Sequence, residues 1–172
     1  MHSFSKRVKI EGRGLWSRNA LKGVSLRGER LKRQGRIEWR QWNPFTSKIA
    51  AGLLKSQQPG ILPTSGSTCL YLGSGHGTTI SHLHDQVCGA NNQLEGTIVA
   101  VDLSPRCIRD LIHLAEKRPG IIPVLADCRD LASISPFLCS EVPWLFQDVS
   151  QSGQVDIFIQ ACERFLASGG TG

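Results

Sequence analysis

Tyr71-Leu72-Gly73-Ser74-Gly75-His76-Gly77-Thr78-Thr79 stands between a short apolar run over 68–72 and a stretch of helical period over 78–87. A strand that turns through glycines into a helix is the opening unit of a parallel α/β sheet. Glycine at such a turn lets the backbone approach a ligand closely, and the helix start offers free N–H groups. The spacing is G-x-G-x-G rather than the G-x-G-x-x-G of dinucleotide folds. That difference moves the expected ligand from a pyrophosphate towards the amino-acid end of S-adenosyl-methionine. A glycine turn that holds no ligand is the alternative.

Downstream the alternation continues. Strands are expected at 97–102, 121–125 and 142–146. Helices are expected at 105–117, with Pro105 in the first turn, at 129–139, and at 152–167, the last ended by Gly169-Gly170. Strand–helix alternation implies right-handed crossovers and a parallel sheet. With 68–72 this makes four strands and a half-built sheet with an open edge, its further strands expected to be missing at the C-terminus. Asp102, Asp127 and Asp148 follow the second, third and fourth strands, the end at which ligands sit in an open α/β sheet. The first is suited to a ribose diol and the second to an adenine amino group; helix capping is the competing use of Asp127 and Asp148.

Upstream the chain changes character. Residues 1–60 carry 14 Lys/Arg and 3 Glu, whereas 61–172 carry 6 Lys/Arg and 11 Asp/Glu, within a net +6. A basic segment with Trp16, Trp39 and Trp42 among its arginines attracts a phosphate backbone, and a solvated basic arm is the bland alternative. Residues 1–36 show no sustained period and read as irregular, with short strands at 24–27 and 36–40. Asn43-Pro44 marks a turn, and Thr46 or Ser47 caps a helix at 47–55. Lys48 at its start either snorkels to solvent or is held in a site. Residues 56–67 form a linker. The division expected is a basic N-terminal region, 1–46, and a domain at 47–172. No apolar run is long enough for a membrane span, and the first residues lack the apolar stretch of a secretory signal. Six cysteines without a C-x-x-C pair suggest neither a zinc clip nor a disulfide framework, so no metal is expected and a reducing, intracellular setting is.

The chain resembles the fibrillarins, the RNA 2′-O-methyltransferases of box C/D ribonucleoproteins. The residues that carry this are Trp42-Asn43-Pro44-Phe45 with Ser47-Lys48, the glycine turn with Thr78-Thr79 and His82, and Ala100-Val101-Asp102-Leu103-Ser104 with Arg106. Arg109-Asp110-Leu111, Ala115-Glu116-Lys117-Arg118-Pro119, Ile121-Ile122-Pro123, and Asp148-Val149 with Gln151 complete the series. The resemblance implies a Rossmann-like α/β fold that binds S-adenosyl-methionine through Gly73, Gly77, Thr78, Thr79, Asp102, Leu103, Asp127, Cys128, Asp148, Val149, Ser150 and Gln151. Lys48 and Asp148 match two members of the family's catalytic Lys-Asp-Lys set; the second lysine follows the fifth strand and has no counterpart here. The implied substrate is rRNA or tRNA. The implied partners are a guide RNA with its target RNA, a Nop-domain scaffold protein and a kink-turn-binding ribosomal protein, with no membrane. A cofactor-binding subunit of the ribonucleoprotein without turnover is the second reading. Three departures stand out: His76 occupies a turn position where the family has a small residue, Ser150 stands where Ala is common, and no Gly/Arg-rich tail is present. The last suggests an archaeal, cytoplasmic protein, with the nucleolus as the alternative for a eukaryotic source.

Overall fold

The computed structural model describes residues 2–172. The basic N-terminal stretch forms an antiparallel sheet of β1 (His2–Ser3), β2 (Val8–Glu11), β3 (Gly14–Arg18), β4 (Leu31–Gln34) and β5 (Ile37–Trp42), in the order β1-β2-β3-β5-β4. This corrects the irregular reading of 1–36. Two-residue turns at Gly12-Arg13 and Gly35-Arg36 close the hairpins, and both glycines take the positive φ such turns require. No strand forms at 24–27; that segment is a loop, held where Asn19 Nδ2 donates to the Val24 carbonyl at 3.1 Å.

The second sheet is parallel. Helix α1 (Lys48–Ser56) begins at Ser47, whose hydroxyl accepts from the Ala50 amide at 3.3 Å, and a 3-10 turn at Pro59–Ile61 follows. Then come β6 (Thr68–Leu72), α2 (Thr78–Val87), β7 (Thr97–Asp102), α3 (Pro105–Lys117), β8 (Ile121–Leu125), α4 (Leu131–Ile134), β9 (Val142–Gln147), α5 (Gln154–Phe165) and β10 (Leu166–Thr171). The strand order β10-β9-β6-β7-β8 is that of a Rossmann-like sheet with its switch point between β6 and β9. Helix 129–139 shortens to α4 and a 3-10 turn at Ser135–Phe137, because Pro136 cannot donate within a continuing helix. The expected fourth helix stops at Phe165. Gly169-Gly170 lies inside a fifth strand, which pairs with β9 at Leu166↔Val142 and Thr171↔Trp144 around an irregularity that Gly169, at φ 75°, accommodates.

Both faces of the parallel sheet are covered. On one side Leu70, Leu72, Val99 and Val101 pack against Ile134, Ile157, Ala161 and Phe165 of α4 and α5. On the other, Cys69, Tyr71, Ile98 and Ala100 share a core with α1, α2, α3 and with Val8, Leu15 and Trp42 of the N-terminal sheet. Helix α2 lies between the sheets, and every residue from Thr79 to Val87 is buried. Its polar residues are satisfied partly by the N-terminal sheet and partly by Arg118 and Pro119 beyond α3. Asp85 accepts from Arg40 Nη2 at 2.8 Å, Arg118 Nη1 at 2.7 Å, Ser17 Oγ at 2.7 Å and the Ala20 amide at 3.0 Å. Among the described residues no helix is long and apolar enough to cross a membrane.

Candidate functional site

The carboxyl ends of β6, β7, β8 and β9 converge as open parallel sheets require. The Gly73 and Ser74 amides donate to the Val101 carbonyl at 2.9 and 3.0 Å, and the Asp148 amide donates to Leu72 at 2.8 Å. Gly73 takes φ 80°, and a Cβ there would collide with the Asp148 carbonyl. Gly77, at φ 83°, presses on α3, where a Cβ would lie 2.8 Å from Leu114. At Gly75 a Cβ would meet nothing within 4 Å, so this part of the turn faces open space. A cleft of about 1070 Å³ opens there. Gly73, Thr78, Thr79 and Asp148 line it from the parallel sheet, and Arg13, Arg27, Arg30 and Phe45 from the N-terminal region.

Lys48 and Asp148, 100 residues apart in the chain, form an ion pair beside this cleft. The pairing follows from the helix start. Ser47 caps α1 and also accepts from Thr79 Oγ1 at 3.1 Å, which fixes the first turn of α1, and with it Lys48, against the first turn of α2. Tyr71 completes the link: its hydroxyl is hydrogen-bonded to Thr79, and burial together with the Asp148 carboxylate raises it above the usual phenol range. Lys48 is 70% exposed, so its ammonium faces solvent and an incoming ligand.

The other sequence-predicted residues occupy the strand ends with different degrees of freedom. Asp102 accepts from the Gly75 amide at 2.7 Å and the Ser104 amide at 2.9 Å, binding the turn to the end of β7. Leu103 projects from that end, half exposed. Asp127 is gripped by Arg129 through Nη2 at 2.6 Å, Nε at 3.1 Å and the amide at 2.9 Å, and this pairing lowers it to about 2. Cys128 is buried, which pushes its thiol up to about 11. Val149 packs on the core beneath Gly73, Ser150 is exposed, and Gln151 has its Oε1 buried without a partner among the described residues. His76 also lines the cleft, with its Nδ1 2.7 Å from Asp110 Oδ2.

Sequence reasoning missed Tyr71 as a positioning group, since it read as one more apolar strand residue. It also missed Arg13, Arg27, Arg30 and Phe45 as individual cleft residues. Phe45, 96% exposed beside a proline turn, is conspicuous only once the fold is known. Arg129, two residues beyond Asp127, was missed as well.

The fibrillarin family model matches residues 4–172. The chain belongs to the fibrillarin family. It is 38% identical over 156 residues, 91% of its length, to the fibrillarin-like rRNA/tRNA 2′-O-methyltransferase of Saccharolobus islandicus, and spans 64% of that relative. Among solved fibrillarins it is similar to that of Aeropyrum pernix in complex with natively bound S-adenosyl-L-methionine, with a TM-score of 0.80, 35% identity, and coverage of 91% of this chain and 65% of the other. It is also similar to a chain of a fibrillarin/Nop5p complex, with a TM-score of 0.77, 31% identity, and coverage of 94% and 70%. The chain thus spans about two thirds of the length of the fibrillarins it matches.

Proposed function

We propose that this fibrillarin-family chain binds S-adenosyl-methionine and takes part in methylating the ribose 2′-oxygen of rRNA or tRNA. The proposed setting is a box C/D guide ribonucleoprotein with a Nop-domain scaffold and a kink-turn-binding protein. The observation that carries this reading is the Lys48–Asp148 pair at the mouth of the glycine-turn cleft. The cleft suits the cofactor: Gly75 leaves space, Asp102 keeps acceptor positions beyond its two backbone contacts, and Gln151 Oε1 is buried and unpaired. The cofactor supplies an activated methyl group when bound. What remains for the protein is alignment, worth up to about 7–11 kcal/mol, and handling of the 2′-hydroxyl proton. In this reading Asp148 orients Lys48 towards the hydroxyl, and the ammonium stabilises negative charge developing on the oxygen. Arg13, Arg27 and Arg30 on the opposite wall supply cations for phosphates of the RNA strand. The activity for which the Saccharolobus islandicus relative is named and the Nop5p complex support substrate and scaffold.

A cofactor-binding subunit of the ribonucleoprotein without turnover is the second reading, and it shares the premise of a formed cofactor site. Calorimetric titration with S-adenosyl-methionine and S-adenosyl-homocysteine, with NAD and ATP as controls, tests the shared premise. Selective binding of the first two is expected; equal binding of all four, or none by folded protein, overturns the reading.

A further inference from the structure

The glycine turn carries a second group of polar side chains, separate from the Lys48–Asp148 pair. His76 Nε2 lies 3.8 Å from Cys107 Sγ on the first turn of α3, and His76 Nδ1 lies 2.7 Å from Asp110 Oδ2 on the next turn. Asp110 is held below the usual carboxylate range by this contact, and in the Nδ1–H tautomer the His76 ring donates to it. The lone pair of Nε2 is then directed at the thiol. A nucleophile, a base within reach and an acid that orients the base are the three parts of an activated nucleophile. The first turn of a helix also favours an anion. Two members of the trio, His76 and Asp110, line a groove of about 410 Å³ together with Leu26, Arg27, Leu114 and Lys117, and the thiol stands outside that lining. Arg27 and Lys117, with Arg118 deeper in the lining, outweigh the Asp110 carboxylate and make the groove one for a small acidic molecule.

We propose that Cys107 is a base-assisted thiol, the site at which small acidic disulfides such as glutathione disulfide modify this protein. His76 Nε2 takes the thiol proton as Cys107 Sγ attacks one sulfur of the disulfide. The S–S bond breaks, the departing thiolate recovers the proton from His76, and a mixed disulfide on Cys107 and one free thiol result. No outside oxidant is needed. The site does not depend on the methyl-transfer reading.

The protein carries its own comparison, because Cys139 is exposed and Cys69, Cys88 and Cys128 are buried. The full chain is incubated with glutathione disulfide at neutral pH, and the rate of mixed-disulfide formation at each cysteine is read by peptide mass mapping. Cys107 is expected to react at least tenfold faster than Cys139. His76→Ala and His76→Gln bring it to the Cys139 rate, and Asp110→Asn slows it several-fold, while the three buried thiols stay unmodified. Equal rates at Cys107 and Cys139 in the unaltered protein overturn the proposal, as does an unchanged Cys107 rate in either His76 variant. Where a variant exposes the buried thiols, the ratio in the unaltered protein decides alone.

Discussion

At the scale of single residues, the chemistry proposed for the cleft rests on how firmly Lys48 is placed. A lysine with a solvent-facing ammonium has ample rotamer freedom, and an exposed ion pair alone fixes it weakly. Here the backbone of Lys48 is set by Ser47, which both caps α1 and accepts from Thr79. Asp148→Ala leaves that scaffold intact and removes only the carboxylate. In a single-turnover methyl-transfer assay with the assembled guide ribonucleoprotein it should slow the reaction about 10²–10³-fold, the usual loss when a positioned electrostatic stabiliser is removed. Cofactor affinity, measured in parallel, should change far less. A wild-type rate in this variant removes Asp148 from the chemistry. The lysine and the aspartate were both singled out in the sequence, as the two residues matching the set that the family resemblance implies. Their link through Ser47, Thr79 and Tyr71 was not, because hydroxyl-to-hydroxyl contacts between distant segments leave no periodic trace.

At the scale of elements, legibility follows chemistry. Strands β6, β7 and β8 are apolar runs bounded by turn residues, and the sequence reading matches their bounds. The N-terminal strands were hidden because their buried face mixes polar with apolar residues: Ser17, Glu38 and Arg40 are buried beside Val8, Leu15 and Trp42, where hydropathy predicts outward positions. Arg40 finds its partner Asp85 on α2, 45 residues away. Strand β10 was hidden because Gly169-Gly170 is a stop signal locally and becomes strand only by pairing with β9. Helix α2 has a measurable signature of its own. His82 is buried, stacked on Trp42 at 4.9 Å, and held well below its usual pKa by burial and by Arg40 and Arg118, Asp85 opposing. Burial and Arg118 lower His84 to about 4. Both are neutral in the folded protein, while the unfolded chain takes up protons below about pH 6.5. Stability therefore falls as pH drops below that value, by about 1.4 kcal/mol per pH unit for each histidine. Urea midpoints should decline from pH 7 to pH 5, and His82→Gln should remove about half of the slope. A flat profile would contradict neutral burial.

At the scale of the whole molecule, charge is segregated: the excess of Lys and Arg lies in the first 60 residues, and the remainder is acidic. The arginines that reach the cleft come from loops of the N-terminal region, so the two parts of the chain meet at one opening. RNA affinity should therefore fall with salt, by about 0.7 logarithmic units per tenfold salt for each phosphate engaged on a single strand. Replacing Arg27 and Arg30 by alanine should flatten that slope by about 1.4, as read by filter binding across a salt series; an unchanged slope would place the strand elsewhere. The buried helix between the sheets carries a different consequence. Removal of residues 1–46 would strip one side of α2 and leave Asp85 and the neighbouring histidines open to water, without Arg40. Expressed this way, the remainder should be insoluble or bind a dye that reports exposed apolar surface; a soluble, cooperatively melting product would refute this. The basic segment is thus no detachable arm. Any rearrangement of genes that grafted this parallel sheet onto a new RNA-binding front would have to carry the first forty residues along with it.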